Sequence, residues 1–257
     1  MRILGIGDII GRPGRRAVRR VLPKLRRKYG LHLVIGNGEN VAGGLGITPS
    51  TAQELFDSGI DVITSGNHIW GYKDIIPYLD SSVAVIRPLN YPPAVPGQGY
   101  FFKSSVLVVN LIGRTFMGNF DCPFRVVDRL LSEFEGRAKV SIVDFHAEAT
   151  SEKVAMGRYL DGRVSAVLGT HTHVGTIDAQ ILPRGTAYVT DIGMVGPADS
   201  VIGDDVDAVI NRFLTLIPGR LAVGRGRVSF DAILVEVDEE TGKAVDITRI
   251  QEVIDEV

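Results

Sequence analysis

Cysteine is almost missing from this chain. Cys122 is the only one in 257 residues, so no intrachain disulfide can form and iron–sulfur chemistry has no thiolate set to draw on. A lone thiol fits a reducing compartment, and a cytoplasmic location is the expectation. Long apolar runs are missing too: none reaches the ~20 residues that span a bilayer as a helix. Met1-Arg2 leads straight into Ile3-Leu4-Gly5-Ile6, which is too short for a secretory leader and has no small-residue cleavage site after it. A strong excess of one charge is also absent. The net charge of −2 argues against a dedicated binder of long nucleic acid. Three catalytic signatures are missing as well. There is no GxxxxGK[ST] phosphate loop and no G-x-S-x-G nucleophile elbow. Gly5-Ile6-Gly7-Asp8-Ile9-Ile10-Gly11 carries one residue too many before its last glycine to be a dinucleotide fingerprint.

The chain is nonetheless 45% hydrophobic and 23% charged, enough for a substantial core. One local charge run stands out, from Arg12 to Lys28, with Arg15, Arg16, Arg19 and Arg20 spaced to share a helix face. It reads either as a solvated face or as a patch that steers an anionic substrate or RNA. Short β-rich runs alternate with helical stretches. Strands are predicted at Ile3–Gly7, Leu33–Ile35, Val62–Ser65, Val83–Ile86, Val106–Leu111, Val140–Asp144, Val164–Leu168 and Ala187–Thr190. Phe230–Val237 and Ala244–Ile250 read as a hairpin joined through Asp238–Gly242. Helices are predicted from Pro13 to Lys28, from Thr48 (an N-cap before Pro49) to Gly59, from Asp121 to Phe134, and from Ser151 to Leu160. The alternation predicts βαβ units in the first half, and the strand-rich later part a second sheet. With no linker and no repeat in view, residues 1–257 read as one domain.

The informative pattern lies at the strand ends. Asp8 closes the first strand. Glu39 and Asn40 come after the second through Gly36-Asn37-Gly38, and Asn67 and His68 after the third through Gly66. His146 comes after Val140–Asp144, and His171 and His173 after Val164–Leu168. Strand ends of α/β sheets converge on one rim, where ligands bind. Four of the five histidines lie at such ends; only His32 does not. Three imidazoles with Asp, Glu and Asn are too many ligands for one tetrahedral zinc. They suit two divalent ions, Fe, Mn or Zn, sharing a carboxylate. Two such ions would hold a bridging hydroxide that attacks a phosphoryl group, a nucleophile that needs no Ser or Cys.

Gly7-Asp8, Gly66-Asn67-His68 and Gly169-Thr170-His171-Thr172-His173 resemble the motif set of calcineurin-like metallophosphoesterases. The first motif lacks its usual histidine, since Ile9-Ile10 come directly after Asp8, and Glu39 replaces the usual second-motif aspartate. Those departures, with Gly38-Glu39-Asn40, the stretch from Asp144 to Lys153 and Asp191-Ile192-Gly193-Met194, resemble the YmdB-like branch of bacterial phosphodiesterases. The resemblance implies a four-layer α/β/β/α sandwich of two mixed sheets and a dinuclear site, iron or manganese before zinc. It implies one ion on Asp8, Glu39, Asn40 and His173, and another on Glu39, Asn67, His146 and His171. It also implies hydrolysis of cyclic nucleotides of the 2′,3′ or 3′,5′ type.

His68, next to the implied ligand Asn67, is the candidate catalytic residue, either as general acid or as electrostatic stabiliser. Arg114 and Phe116 are candidate substrate contacts on phosphate and base, and Trp70 and Tyr72 wall the pocket or pack in the core. Glu148 and Glu152 are candidates to orient an imidazole. Two other readings stay open: a phosphomonoesterase or nucleotidase on the same site, and a regulatory RNA-associated protein in which metals stabilise a binding surface. Apolar loop segments such as Tyr91–Tyr100 fit a homo-oligomer interface or a pocket wall equally.

Overall fold

The computed structural model describes residues 1–81, 83–219 and 221–255. The chain opens with β1 (Arg2–Ile9), α1 (Gly11–Tyr29), β2 (Leu33–Asn37), α2 (Pro49–Asp57), β3 (Val62–Thr64) and the short α3 (Ile75–Leu79). It continues through β4 (Tyr100–Lys103), β5 (Val106–Ile112), α4 (Pro123–Glu133), β6 (Val140–His146), α5 (Thr150–Leu160), β7 (Ala166–Thr170), β8 (Gln180–Ile181) and β9 (Ala187–Val189). It ends with β10 (Met194–Pro197), α6 (Val206–Thr215), β11 (Val228–Val237) and β12 (Ala244–Ile254).

Two six-stranded sheets result, ordered β12-β11-β10-β1-β2-β3 and β4-β5-β6-β7-β9-β8. Both are mixed. The strands β1, β2, β3 and β10 run parallel, and so do β5, β6, β7 and β9. The hairpin β11–β12 and the edge strands β4 and β8 pair antiparallel. Successive strand side chains point to opposite faces, and the core divides accordingly. Ile3, Ile233 and Val235 meet Val108, Ile142 and Ala166 between the sheets. Leu4, Ala232 and Leu234 face α1 and α2 on one outside. Leu107, Val109 and Val143 pack with α4 and α5 residues on the other. These three apolar layers are the expected α/β/β/α sandwich, and strands buried on both faces explain the continuous hydrophobic runs.

Helix α1 buries Ala17, Val18, Val21, Leu22 and Leu25 along one stripe, and Gly30 closes it in the left-handed conformation (φ 58°). Part of its basic face is committed within the fold: Arg15 pairs with Glu54 at 2.6 Å, and Arg26 holds the Gly59 carbonyl at 2.7 Å. Thr48 caps α2 in a reciprocal box with Thr51, as its sequence predicts. Elsewhere the structure departs from the sequence reading. The later strands divide: β6 to β9 join β4 and β5 in the second sheet, as expected, but β10, β11 and β12 return to β1 in the first. Val83–Ile86 is not a strand but a single bridge, Val85 to Ile63. Cys122 rather than Asp121 precedes α4, with Pro123 in its first turn. Among the described residues no helix is long and apolar enough to cross a membrane.

Candidate active site and metal centre

The parallel strands of both sheets end at one rim, and the side chains just beyond them meet there. Asp8, near the end of β1, is fully buried, with Oδ1 3.7 Å from His173 Nε2 and 4.0 Å from His146 Nδ1. Glu39, just past β2, lies 3.1 Å from His146 Nε2. Asn67, past β3, places Oδ1 3.1 Å from the same nitrogen, and His171 Nδ1 is 3.0 Å from it. Asn40 Nδ2 is 3.3 Å from His173 Nε2. Ligand atoms of Glu39, His146 and His171 all fall within 4.8 Å of one another. All seven residues singled out as ligands in the sequence are thus brought together.

The backbone makes room for this crowding. A Cβ at Gly66 would sit 2.2 Å from the His146 ring, and one at Gly169 1.7 Å from the Thr190 carbonyl, so only glycine fits at either position. His171 and His173 adopt positive φ, 97° and 64°, a conformation unfavourable for a side-chain-bearing residue. Asp191 holds the turn between them. Its carboxylate accepts from Thr172 N at 3.1 Å, Thr172 Oγ1 at 2.7 Å and Gly193 N at 2.8 Å, and it pairs with the buried Lys153 Nζ at 2.7 Å. Asp191 comes directly after the predicted strand Ala187–Thr190, as the ligands come after theirs, but Lys153 lies inside α5, and nothing in the sequence pairs the two.

The electrostatics favour a cation. Asp8 Oδ1 and Glu39 Oε1 are buried oxygens with no hydrogen-bond partner, a cost that a cation bound between them would relieve. Burial pushes the Asp8 carboxyl up against the pull of His173 and His146. Burial also raises Glu39, but the adjoining His146 and His68 outweigh it and hold the carboxyl at about 2. The reverse holds for His146: burial lowers it, yet Glu39 and Asp8 carry it to about 9. Burial and the neighbouring His146 push His171 down to about 3, a neutral imidazole. Two carboxylates, imidazole nitrogens and carboxamide oxygens are the donor set of borderline divalent ions, so the residues present fit the metals implied by the motifs.

His68 stands at the edge of this cluster, partly exposed. Its backbone N donates to Glu39 Oε2 at 2.8 Å, and Nδ1 lies 2.9 Å from Asn40 Oδ1. Two cavities open beside it. The inner one, about 240 Å³, is lined by Glu39, Asn40, His171, His173, Glu148 and Asp204. The outer, about 640 Å³, is lined by His68, Leu45, Tyr72, Asp204 and Arg212. Tyr72 therefore walls the pocket, its hydroxyl on the Ala42 carbonyl at 3.2 Å, while Trp70 packs edge-on against Tyr91 beside the core. Glu148 lies 3.1 Å from His171 Nε2. Glu152 instead caps the backbone of the loop after β5, accepting from Arg114 N at 3.0 Å and Thr115 N at 3.1 Å. The side chains of Arg114 and Phe116 line neither cavity, and Phe116 is 89% exposed. His32 stays at the surface, accepting from Arg2 N at 3.1 Å. Asp204 and Arg212 were not evident from the sequence.

Known proteins resemble this chain in sequence and fold. The family model described as YmdB-like protein matches residues 4–250. The chain belongs to the YmdB-like family. A 2′,3′-cyclic-nucleotide 2′-phosphodiesterase of Bacillus subtilis is 47% identical over 97% of this chain and 96% of that protein. A putative phosphatase/phosphodiesterase of Mycoplasma genitalium is 36% identical over the whole chain and 94% of its own length. Among solved structures, a hypothetical protein from Thermus thermophilus superposes with a TM-score of 0.93 at 45% identity, covering 99% of this chain and all of that one. A phosphatase of Mycoplasma pneumoniae gives 0.93 at 33% identity, over 100% of this chain and 94% of its own. The two-sheet sandwich of this chain is thus shared with both solved structures over nearly its whole length.

Proposed function

We propose that this chain is a phosphoric ester hydrolase that binds two divalent metal ions, iron or manganese, and opens 2′,3′-cyclic nucleotides. The observation that carries the reading is the pair of unpartnered buried oxygens, Asp8 Oδ1 and Glu39 Oε1, among imidazoles, with Glu39, His171 and His173 lining the inner cavity. Asp8, Glu39, Asn40 and His173 would hold one ion, and Glu39, Asn67, His146 and His171 the other. When bound, such ions activate water near neutral pH and neutralise charge on the phosphoryl group. The remaining work falls to the chain. Asn40 accepts from His68 Nδ1, which leaves Nε2 as the ring nitrogen for substrate. From there it gives a proton to the departing 2′ oxygen while water oxygen bonds to phosphorus, so the product is the 3′-phosphate. The 2′,3′ preference over 3′,5′ is supported by the activity for which the Bacillus relative is named. The names of the Mycoplasma relatives support a second reading, in which the same site also removes a terminal phosphate.

The deciding experiment pairs metal analysis with product identification. Nucleoside 2′,3′-cyclic phosphate, nucleoside 3′,5′-cyclic phosphate and nucleoside 3′-phosphate are offered to the protein before and after chelation. About two ions per chain, 3′-phosphate as the product, and loss on chelation with recovery on adding Mn are expected. Full activity in metal-free protein would sink the proposal. Release of inorganic phosphate from the 3′-phosphate establishes the second reading.

A further inference from the structure

The two cavities meet at Asp204, which lines both, while Arg212 lines only the outer one. Asp204 arrives on a short loop fixed by paired bridges to Val201 and Val223. Arg212 comes from α6, a helix capped by Asp205 (Ala208 N to Oδ1, 3.0 Å) and anchored by one buried residue, Val209. Among the described residues the Arg212 guanidinium makes no hydrogen bond or ion pair; its charge acts on Asp204 from a distance, as do those of His173 and His68. The cleft therefore presents a cation-seeking cluster in the inner cavity, a carboxylate that borders both cavities together with His68, and a guanidinium in the outer one. Tyr72 and Leu45 supply apolar wall between them.

That order complements a ligand with an anion at each end and donors in the middle. A scissile phosphate belongs at the cluster, and sugar hydroxyls or base N–H groups donate to Asp204. A second phosphate reaches Arg212, whose fork suits phosphate oxygens. The outer cavity of about 640 Å³ lies near the middle of the range usual for small-ligand sites, and the inner cavity of about 240 Å³ adjoins it. We infer that Arg212 reads a second phosphate on the 5′ side of the nucleoside, so that the preferred substrates are 2′,3′-cyclic nucleotides carrying a 5′-phosphate or ending a longer ribonucleotide chain. This inference rests on the hydrolase reading above, and it specifies the substrate class.

The test uses binding as well as turnover. Metal-loaded protein is titrated calorimetrically with nucleoside 3′-phosphate, nucleoside 3′,5′-bisphosphate and a 3′-phosphorylated dinucleotide. Turnover is measured on the three matching 2′,3′-cyclic phosphates. Wild type is expected to bind the doubly phosphorylated ligands about five- to tenfold more tightly than the 3′-phosphate. In Arg212→Ala that ratio falls to about one, and Arg212→Lys restores part of it. A gain for the bisphosphate alone assigns the subsite to a 5′-terminal phosphate; a gain for the dinucleotide assigns it to an internucleotide linkage. Equal affinity for all three ligands in wild type overturns the inference, and so does an Arg212→Ala variant that keeps the wild-type ratio. If the ratio behaves as expected but no cyclic phosphate is turned over, the subsite stands and the hydrolase reading falls.

Discussion

The hydroxyl of Thr170 sits 3.0 Å from His146 Nδ1 and fixes which nitrogen of that ring faces the metal cluster. Its single proton goes to Asp144 Oδ1 at 2.7 Å, so toward the imidazole it can only accept. His146 therefore keeps its proton on Nδ1 when a metal displaces the one on Nε2, and Nε2 is the nitrogen that faces Asn67, His171 and Glu39. The Asn37 amide nitrogen, 3.3 Å from Nδ1, would favour the opposite tautomer, but it is the longer contact and has the Ser65 carbonyl as an alternative acceptor at 3.4 Å. Thr64 donates to the other oxygen of Asp144, completing a buried relay.

Thr170→Val keeps the shape and removes the acceptor. Metal affinity or turnover should fall by about 10–100-fold, the usual effect of losing a group that orients a ligand imidazole. Thr170→Ser should recover most of it. Metal content after dialysis against a weak chelator gives the readout, and a valine variant that retains metal like wild type would show that the relay orients nothing.

Glu39 supplies a more direct test. Its carboxyl is held at about 2, so it remains ionised through any workable assay pH, and its Oε1 has no partner. Glu39→Gln should lower turnover on the order of 100–1,000-fold or more and reduce bound metal. Metal also links to stability. Saturating wild type with Mn at ~100 times its Kd should add about 2.7 kcal/mol to unfolding, seen as a rise in Tm over the chelated protein. In the variant that rise should shrink; an equal rise in both would remove Glu39 from the ligand set.

The ligands were legible because each stands at or within a few residues of the end of a continuous apolar run: Asp8 directly after Ile3–Gly7, His171 one glycine and one threonine after Val164–Leu168, and His173 two residues further on. Strands buried on both faces make that signal strong, and their shared direction makes it spatial. Asp204 and Arg212 escaped because nothing comparable precedes them. The strand before Asp204, Met194–Pro197, is short and carries Gly and Pro, while the apolar stripe of α6 (Val206, Val209, Ile210, Phe213, Leu214) marks a helix but not the polar groups beside it, and only Val209 of that stripe is buried. The same logic hid β4, whose residues are only partly buried at a sheet edge. Val83–Ile86 shows the opposite error, β-propensity without a partner strand beyond a single bridge. Arg114 and Phe116 come after β5 as the ligands come after their strands, but the loop there is capped by Glu152 and their side chains turn to solvent.

Asp178 gives the fold a measurable pH response. Burial raises its carboxyl, but hydrogen bonds from Thr176 Oγ1 (2.6 Å) and Thr190 Oγ1 (2.6 Å) outweigh that and hold it below the usual range. A carboxyl depressed on folding adds stability above its unfolded pKa, and that stability is lost as pH falls through the folded value. Asp178→Asn should therefore cost about 1 kcal/mol at neutral pH, a modest figure because the group is partly exposed. The cost should shrink as pH falls below the ordinary aspartate value of about 3.9 and vanish once it is below the depressed folded value, where both proteins are neutral at this position. Urea unfolding at a series of pH values would show the two curves converging in acid; parallel curves would mean that the Thr176 and Thr190 contacts do not depend on the charge.

His68 separates binding from chemistry. With Nδ1 committed to Asn40 and its backbone N to Glu39, the ring presents Nε2 to the cavities without belonging to the buried cluster. His68→Gln should leave metal content intact and cut kcat by about 100–10,000-fold, the range of general acid–base groups. The size of the loss on different leaving groups decides the role. An aryl phosphodiester departs without needing a proton, so the variant should hydrolyse it nearly as fast as wild type does if His68 is a general acid. If the ring only steadies the phosphoryl oxygens, the loss should be the same for aryl and ribosyl esters. Kinetics of wild type and variant on both substrates, with metal content measured on the same samples, distinguish the two, and undiminished kcat on both would remove His68 from the chemistry.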